Sequence, residues 1–504
     1  MDFRSNDRNQ QVFFGYSLSD FVPANSFPAF VVQFVFELNI DPIIESYSPD
    51  GSKAYDPRIM LSIWFLAFSR GITSTRRIEY ECKNNLEFIY TSANLKPDHT
   101  TLYRFRALAD KLMPELFAVV VKNIVQKTNF KFDSIAIDGT KMRSRSSWRK
   151  SHTEKDIEAM LAKVREEIAG YLTEVDKDEQ KFEKLKKKET SLDEAKKKIV
   201  KRKQTIEKNH KETHKINLVE EDAYTMRFPS GRDAFPGYNA MVSTCTKTQL
   251  IVAVEVTQRR SDHGEFSRQH KNIEKVLGSD KSRRYIVDSG FYTKDEASYA
   301  LENGVNLYFP EIWHYGGSEN EIGKKQMYYD KMRDLYVCPE GKELRPKRHV
   351  GYFVEYVTRG CNNCPIREKC TSSRDEGIYF KKVLRHKREE EFEELVLRGK
   401  TVEGKKMIDL RQRTVEPVIG NLKSNLGFNR FSRFGLKKVN ADFAFMCIGH
   451  NLRKLYQMAL RGEITFPGGF FDRFFLLFSK ILRENRLSRK ITKKLSIRQP
   501  IFGL

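Results

Sequence analysis

Apolar residues recur at helical spacing over the first quarter of the chain. Ile59, Leu61, Ile63, Trp64, Ala67 and Phe68 form one stripe, Gly71 breaks it before Ser74, and a further helix is predicted over residues 100–112. The pattern predicts a helical N-terminal domain over residues 13–125. Residues 130–138 change to strand character and end in Ile135-Ala136-Ile137-Asp138. At Ser151 the pattern changes again: residues 151–216 hold 18 Lys or Arg and 15 Asp or Glu among 66 positions. Ile157, Leu161, Val164, Ile168, Leu172 and Val175 keep a 3–4 spacing that Phe182, Leu185, Leu192, Ile199 and Ile206 continue, which predicts a coiled-coil insertion. Ser191-Leu192-Asp193-Glu194 fits a capping box, so a helix should start there and the segment fold back as a hairpin. Strand patterns return at residues 240–242 and 250–254, a helical one at 265–277, and a strand at Tyr285-Ile286-Val287 just before Asp288. This alternation predicts an α/β domain over residues 126–460, a mixed sheet with flanking helices. Its last helix, Lys437 to Leu460, reads as amphipathic, with Val439, Phe443, Met446, Cys447, His450 and Leu455 near one face and His450 as a core-edge or capping group.

Charge adds a partner. Lys and Arg exceed Asp and Glu by 23 in 504 residues, an excess that favours nucleic acid over an anionic membrane. The most apolar stretch, residues 470–482, is interrupted by Asp472 and Arg473 and is too short to span a bilayer. The N-terminus lacks an apolar signal core, so a cytoplasmic, nucleoid-associated protein is expected. Residues 461–504 form a basic tail suited to tracking phosphates. Of seven cysteines, Cys82, Cys245 and Cys447 lie in apolar surroundings and read as core. Cys338, Cys361, Cys364 and Cys370 fall in a Cys-rich insertion, residues 309–382, where four thiolates could close a structural zinc site or stand as unligated thiols.

Three acids carry the candidate chemistry. Asp138 and Asp288 each end an apolar run and read as carboxylates at strand tips. Glu416 lies where Val415, Val418, Ile419 and Leu422 recur at helical spacing. Two strand acids and one helical acid could hold two divalent ions for phosphodiester chemistry, although a strand-end Asp also serves as a turn former or cap. Asp262-His263 reads as a turn Asp and a surface His.

The contexts of these acids go further. Asp138-Gly139-Thr140-Lys141, Val287-Asp288-Ser289-Gly290-Phe291-Tyr292 and Thr414-Val415-Glu416-Pro417-Val418-Ile419-Gly420 resemble, in order, the three blocks of DDE transposases of bacterial insertion sequences. Tyr55-Asp56-Pro57, Ser74 to Glu79, Pro97 to Arg106 and Gly237-Tyr238-Asn239-Ala240 look like other blocks of these enzymes, so the likeness runs over residues 25–460. Many relatives carry Tyr-x2-Arg-x3-Glu-x6-Lys around the third acid. Lys423 matches, while Asp409 and Gln412 stand at the Tyr and Arg positions. The resemblance implies an RNase H-like catalytic domain in which Asp138, Asp288 and Glu416 bind two Mg²⁺ or Mn²⁺. It implies contacts to double-stranded DNA, both transposon ends and target, from Lys141, Arg413 and Lys423 and from Arg76, Arg77, Arg104 and Arg106 of the N-terminal helices, within a homodimer. A nuclease of the same fold without strand transfer, or an inactive DNA-binding relic, would share most of these features.

Overall fold

From Leu18 to Lys127 the described chain is helical: α1 (Leu18–Phe21), α2 (Phe27–Phe36), α3 (Asp41–Glu45), α4 (Pro57–Ser69), α5 (Thr75–Asn84), α6 (Leu86–Thr91) and α7 (His99–Lys127). The computed structural model describes residues 17–47, 54–128, 130–173, 178–205, 215–228, 234–310 and 322–464. The basic tail beyond residue 464, with Val175 and Ile206 of the charged segment, lies outside them. Helix α4 starts where Asp56 accepts from the Arg58 amide with Pro57 at the first position. Helix α7 starts at Asp98, which accepts from Thr101. It continues through Pro114, past the expected stop, because Leu116, Phe117, Val120, Val121 and Ile124 keep its apolar face buried.

Strands follow: β1 (Ser134–Arg143), β2 (Ser151–Thr153), then helices α8 (Glu154–Thr173) and α9 (Glu179–Thr205), then β3 (Lys215–Asn217), β4 (Tyr224–Arg227), β5 (Ala234–Cys245) and β6 (Ile251–Thr257). β5 pairs antiparallel with β1 along one edge and with β6 and β4 along the other. Between β1 and β4, helices α8 and α9 pack through Ile157, Leu161, Val164, Ile168, Leu192, Ala195 and Ile199, and β2 pairs with β3 at their base. Leu172, read as part of the stripe, is instead exposed. Nor does a helix start at Ser191: α9 begins twelve positions earlier, where the Asp178 carboxylate accepts from the amides of Gln180 and Lys181. A capping-box sequence inside a helix is overridden when Leu192 and Ala195 are needed in the packed interface.

Two compact units divide the chain, residues 1–262, 268–280 and 412–504 in the first and 263–267 and 281–411 in the second, with α10 (Phe266–Leu277) contributing to both. In the second unit β7 (Arg284–Ile286), α11 (Lys294–Glu302) and β8 (Asn306–Tyr308) form a crossover with β7 and β8 parallel. Next come β9 (Tyr328–Asp330), β10 (Leu335–Val337), β11 (Glu343–Val350), β12 (Phe353–Arg359), α12 (Arg367–Cys370), β13 (Arg374–Asp375), β14 (Ile378–His386) and α13 (Glu389–Lys400). These six strands form a sheet in the order β13-β14-β12-β11-β10-β9, over a core of Met327, Tyr336, Leu344, Tyr356 and Val383. Antiparallel pairs around β5 and a parallel β7–β8 pair give a mixed α/β architecture, as the alternating pattern predicts.

The chain returns to the first unit through α14 (Val402–Gly420), a π-helical turn at Asn421–Asn425, and α15 (Leu436–Leu460). α15 is not the amphipathic helix its sequence suggests, since every residue from Ala441 to Leu452 is buried. It packs against α2, α4 and α7 and also against β6, so the N-terminal helices belong to the same compact unit as the strands, with no packing break at residue 125. Where α4 and α15 meet, a Cβ at Gly449 would lie 2.9 Å from the backbone of Phe68 and Ser69.

A buried ion network ties α7 to α15. Arg106 pairs with Asp442, and Arg433 contacts both Asp442 and, with two nitrogens at 2.5 and 2.8 Å, Asp110. The Arg106 guanidinium also lies over the Trp64 and Phe68 rings. Arg106, only 2% exposed, is therefore not on a polar DNA-facing surface; its charge is consumed in the interior. Removing one partner of such a group leaves uncompensated charge in the core. Asp442→Ala should thus cost about 3–5 kcal/mol, and Arg104→Ala, at an exposed site on the same helix, less than about 0.5 kcal/mol. Denaturant unfolding of the two variants measures this; equal midpoints would contradict the network's role.

Candidate active site

Asp138 lies within β1, opposite Val242 of β5, and not at a strand tip, because the pairing runs on to Arg143. The apolar run ends at residue 138, but the backbone ladder does not need apolar side chains to continue. The half-buried carboxylate accepts from the Gly139 amide at 2.8 Å. A Cβ on Gly139 would stand 2.2 Å from Oδ1 of Asp262 and 3.0 Å from Oδ1 of Asn239, so a side chain here would displace Asp262. The buried Asn239 donates to Asp262 Oδ1 at 2.7 Å. Neighbouring strand residues face opposite sides, so Asp262 and Asn239 back the strand behind Asp138. Asp262 is thus not the simple turn residue its sequence suggests. The glycine directly after Asp138 was the available signal.

Hydrogen bonds from Thr414 and Lys423 tie α14 and the turn after it to the sheet. Thr414 donates to the Thr246 carbonyl at 3.5 Å, and Thr246 in turn donates to Ser134 at the start of β1. Pro417 has no amide to offer the Arg413 carbonyl four residues back, and Gln249 Nε2 donates to that oxygen instead at 3.3 Å. Val415, Val418 and Leu422 are buried, while Glu416 and Arg413 are exposed. Beyond Glu416, Lys423 donates from Nζ to the Lys141 carbonyl of β1 at 2.9 Å. Glu416 lies between these two anchors, and Lys141 is three residues from Asp138 on β1. The π turn alters the spacing, so Lys423 is not simply two α-turns beyond Glu416. Burial lowers the Lys423 pKa.

Asp288 follows β7 in the second unit, half-exposed, and its Oδ1 accepts from the Ser289 amide at 2.6 Å at the start of a 3-10 turn. The same unit holds the four cysteines. Lys342 donates its amide to Cys338 Sγ at 3.3 Å, and the Cys364 amide donates to the Cys361 carbonyl. Burial raises the thiol pKa values of Cys361 and Cys370, and the neighbouring thiols raise them further, so the four sulfurs share one locality. Among the described residues, no group of three or more His, Cys, Asp or Glu is formed that could hold a metal ion. No described helix is long and apolar enough to cross a membrane. Arg76, Arg77 and Arg104 are exposed, with Arg77 paired to Glu81 at 2.6 Å.

Residues 16–108 match the family profile of a transposase domain (DUF772), and residues 337–456 match that of a transposase DDE domain. The second span contains Glu416 and Lys423. These matches bear out the resemblance to DDE transposases read from the sequence. No curated protein matches the chain. Among solved structures, a cryo-EM structure of a piggyBac transposase synaptic complex with hairpin DNA is similar over 94% of this chain and 86% of that one, at 10% identity and a TM-score of 0.31.

His450 joins the helix to the sheet. Its Nε2 contacts the Gln249 carbonyl at 3.1 Å and its Nδ1 contacts Asn421 Nδ2 at 2.9 Å. A carbonyl only accepts, so Nε2 carries the proton and Nδ1 receives the amide hydrogen. Complete burial pushes the imidazole pKa from 6.5 down to about 4. The unfolded chain then binds this proton at higher pH than the folded one, and stability present above pH 6.5 is lost as pH falls toward 4. The predicted slope is up to about 1.4 kcal/mol per pH unit in that window. Denaturant midpoints of wild type and His450→Gln measured across it should diverge in slope; parallel curves would contradict the assignment.

Proposed function

We propose that this chain is a transposase that binds the terminal inverted repeats of its own insertion sequence, cleaves the ends and joins their 3′-hydroxyls to target DNA. The observation that carries this reading is the DDE-domain match over Glu416 and Lys423, with Lys423 bonded to β1 three residues from Asp138. The catalytic domain is read as RNase H-like. Asp138, Asp288 and Glu416 are its proposed ligands for two Mg²⁺ or Mn²⁺, and their carboxylate oxygens are the hard donors these ions take. When bound, such ions activate the nucleophile and stabilise the leaving oxygen. Lys423, already fixed on β1, would hold the scissile phosphate in register, with Lys141 and Arg413 on its flanks. The lack of a side chain at Gly139 leaves room for Asp262 against the face of β1 opposite Asp138.

Arg76, Arg77 and Arg104 are the proposed end-binding contacts of the N-terminal helices, from which the buried Arg106 is withdrawn. Double-stranded DNA is the partner, bound by a homodimer. Cys338, Cys361, Cys364 and Cys370 would hold one structural zinc, and binding would have to displace the protons that burial favours on Cys361 and Cys370. A nuclease without strand transfer is the second reading, because water and a 3′-hydroxyl can use the same carboxylates.

Asp138→Asn, Asp288→Asn and Glu416→Gln should each reduce end cleavage in Mg²⁺ at least about a hundredfold, judged by the cost of losing single groups that stabilise transition-state charge. End binding should stay within about twofold, since the metal charge and not the DNA contact is removed. Cleavage near the wild-type rate would exclude that residue from the site. Elemental analysis of protein purified without chelator should find about one zinc per chain, lost in Cys361→Ser/Cys364→Ser. Full folding with no zinc would assign the four sulfurs as free thiols.

A further inference from the structure

The second unit holds a cavity of about 640 Å³ that the catalytic reading leaves without a task. Helix α13 lines it with Phe392, Val396 and Leu397, and the β9–β10 end of the six-stranded sheet lines it with Tyr328, Tyr329 and Tyr336. The Tyr329 and Tyr336 ring centroids are 4.9 Å apart, and the Arg385 guanidinium covers Tyr329 at 3.6 Å. Tyr328 and Leu397 leave 70% and 55% of their surfaces open to solvent, so apolar groups stand ready at the cavity's edge. Four cations and three carboxylates line the cavity, and most are matched in place. Lys324 pairs with Glu389 at 2.8 Å, and Lys331 and Arg385 both pair with Glu390, at 2.7 and 3.3 Å. Little charge is left over to attract an ion. One buried polar group is only half used: the Tyr336 hydroxyl accepts from Arg385 at 3.0 Å, and no described acceptor takes its proton. Burial pushes this phenol up to about 12, so the proton stays in place at neutral pH.

We propose that this cavity binds a neutral, flat, fused-ring molecule carrying a carbonyl, its rings against the tyrosines and its oxygen on the Tyr336 hydroxyl. The size falls within the range of small-molecule sites, about 300–1,000 Å³, whose walls are mainly apolar and aromatic with a few placed polar groups. Flat rings gain from tyrosine faces and edges beyond the area they bury. A donor fixed by Arg385 and shielded from water selects an acceptor, because a ligand without one would leave that proton unpaired. A carboxylate or ammonium on the ligand would lose its hydration against walls whose charges are largely matched already. For the same reason the phosphates of DNA have little to gain here. The inference does not rest on the transposase reading, since none of the proposed metal ligands lines the cavity.

The test is a fluorescence titration of full-length protein with Nile red, a neutral fused-ring dye that carries one ring carbonyl. One dye per chain should bind, with a dissociation constant in the micromolar range. Tyr336→Phe removes only the hydroxyl and should weaken binding about five- to tenfold. Val396→Trp fills the cavity and should weaken it further. Val396 is half-buried, so its variant keeps the test decisive if Tyr336→Phe lowers the denaturant midpoint. Among competitors built on one ring system, 2-naphthamide should displace the dye better than naphthalene, which lacks the acceptor, and better than 2-naphthoate or 2-naphthylmethylammonium, which carry charge. Dye binding unchanged in both variants, or stronger displacement by either ion than by the amide, would overturn the proposal. So would displacement by a blunt DNA duplex, which would assign the cavity to DNA. No cleavage is measured, so a failure of this site and a failure of cleavage in Asp138→Asn are read separately.

Discussion

The first unit is held together by two asparagines. Asn440 and Asn451 of α15 each use both side-chain groups on β6: Asn440 on the amide and carbonyl of Val256, Asn451 on those of Ile251. The match is geometric. Eleven helical residues rise about 16.5 Å, and five strand residues span about 17 Å, so one helix face meets two rungs of the same edge. Unpaired edge groups in the interior would each cost about 1–3 kcal/mol. Gly449, two residues from Asn451 and so on the far face of the helix, lets α4 approach to backbone contact. The sheet edge and the N-terminal helices therefore share α15, and the buried Arg106–Asp442–Arg433 network fixes its rotation.

The candidate site inherits that rigidity. The turn joining β5 to β6 supplies Gln249, which meets Arg413 of α14, and its carbonyl meets His450 of α15. Pro417 creates the vacant carbonyl that Gln249 fills, so a residue hostile to helices becomes a docking point. Lys423 closes the other end on β1. A carboxylate on a helix anchored on either side of it needs little rearrangement to meet a ligand, which is what the proposed phosphoryl transfer would require.

Local pattern made much of this legible. Ile157, Leu161, Val164 and Ile168 announce a packed helix face, and the strand and helix around Asp138 and Glu416 follow their hydrophobic periods. What stayed hidden depends on contacts distant in sequence. Arg106 looks like any surface arginine until Asp442, 336 positions away, faces it. Asp262 looks like a turn until Gly139 is seen to leave space for it. The all-round burial of α15 comes from helices and a strand on its different sides, which no single amphipathic period can encode. Nor can composition reveal a π turn at Asn421–Asn425.

Strand transfer separates a transposase from a nuclease built on the same carboxylates, and it is the most direct measure of the account. Paired terminal-repeat DNA with ordinary 3′-hydroxyl ends, incubated with the protein, Mg²⁺ and a supercoiled target, should give joined product. The same ends carrying 3′-deoxy termini should be bound but never joined. Hydrolysis of the ends with no joining under either condition would contradict the account and leave a nuclease in its place.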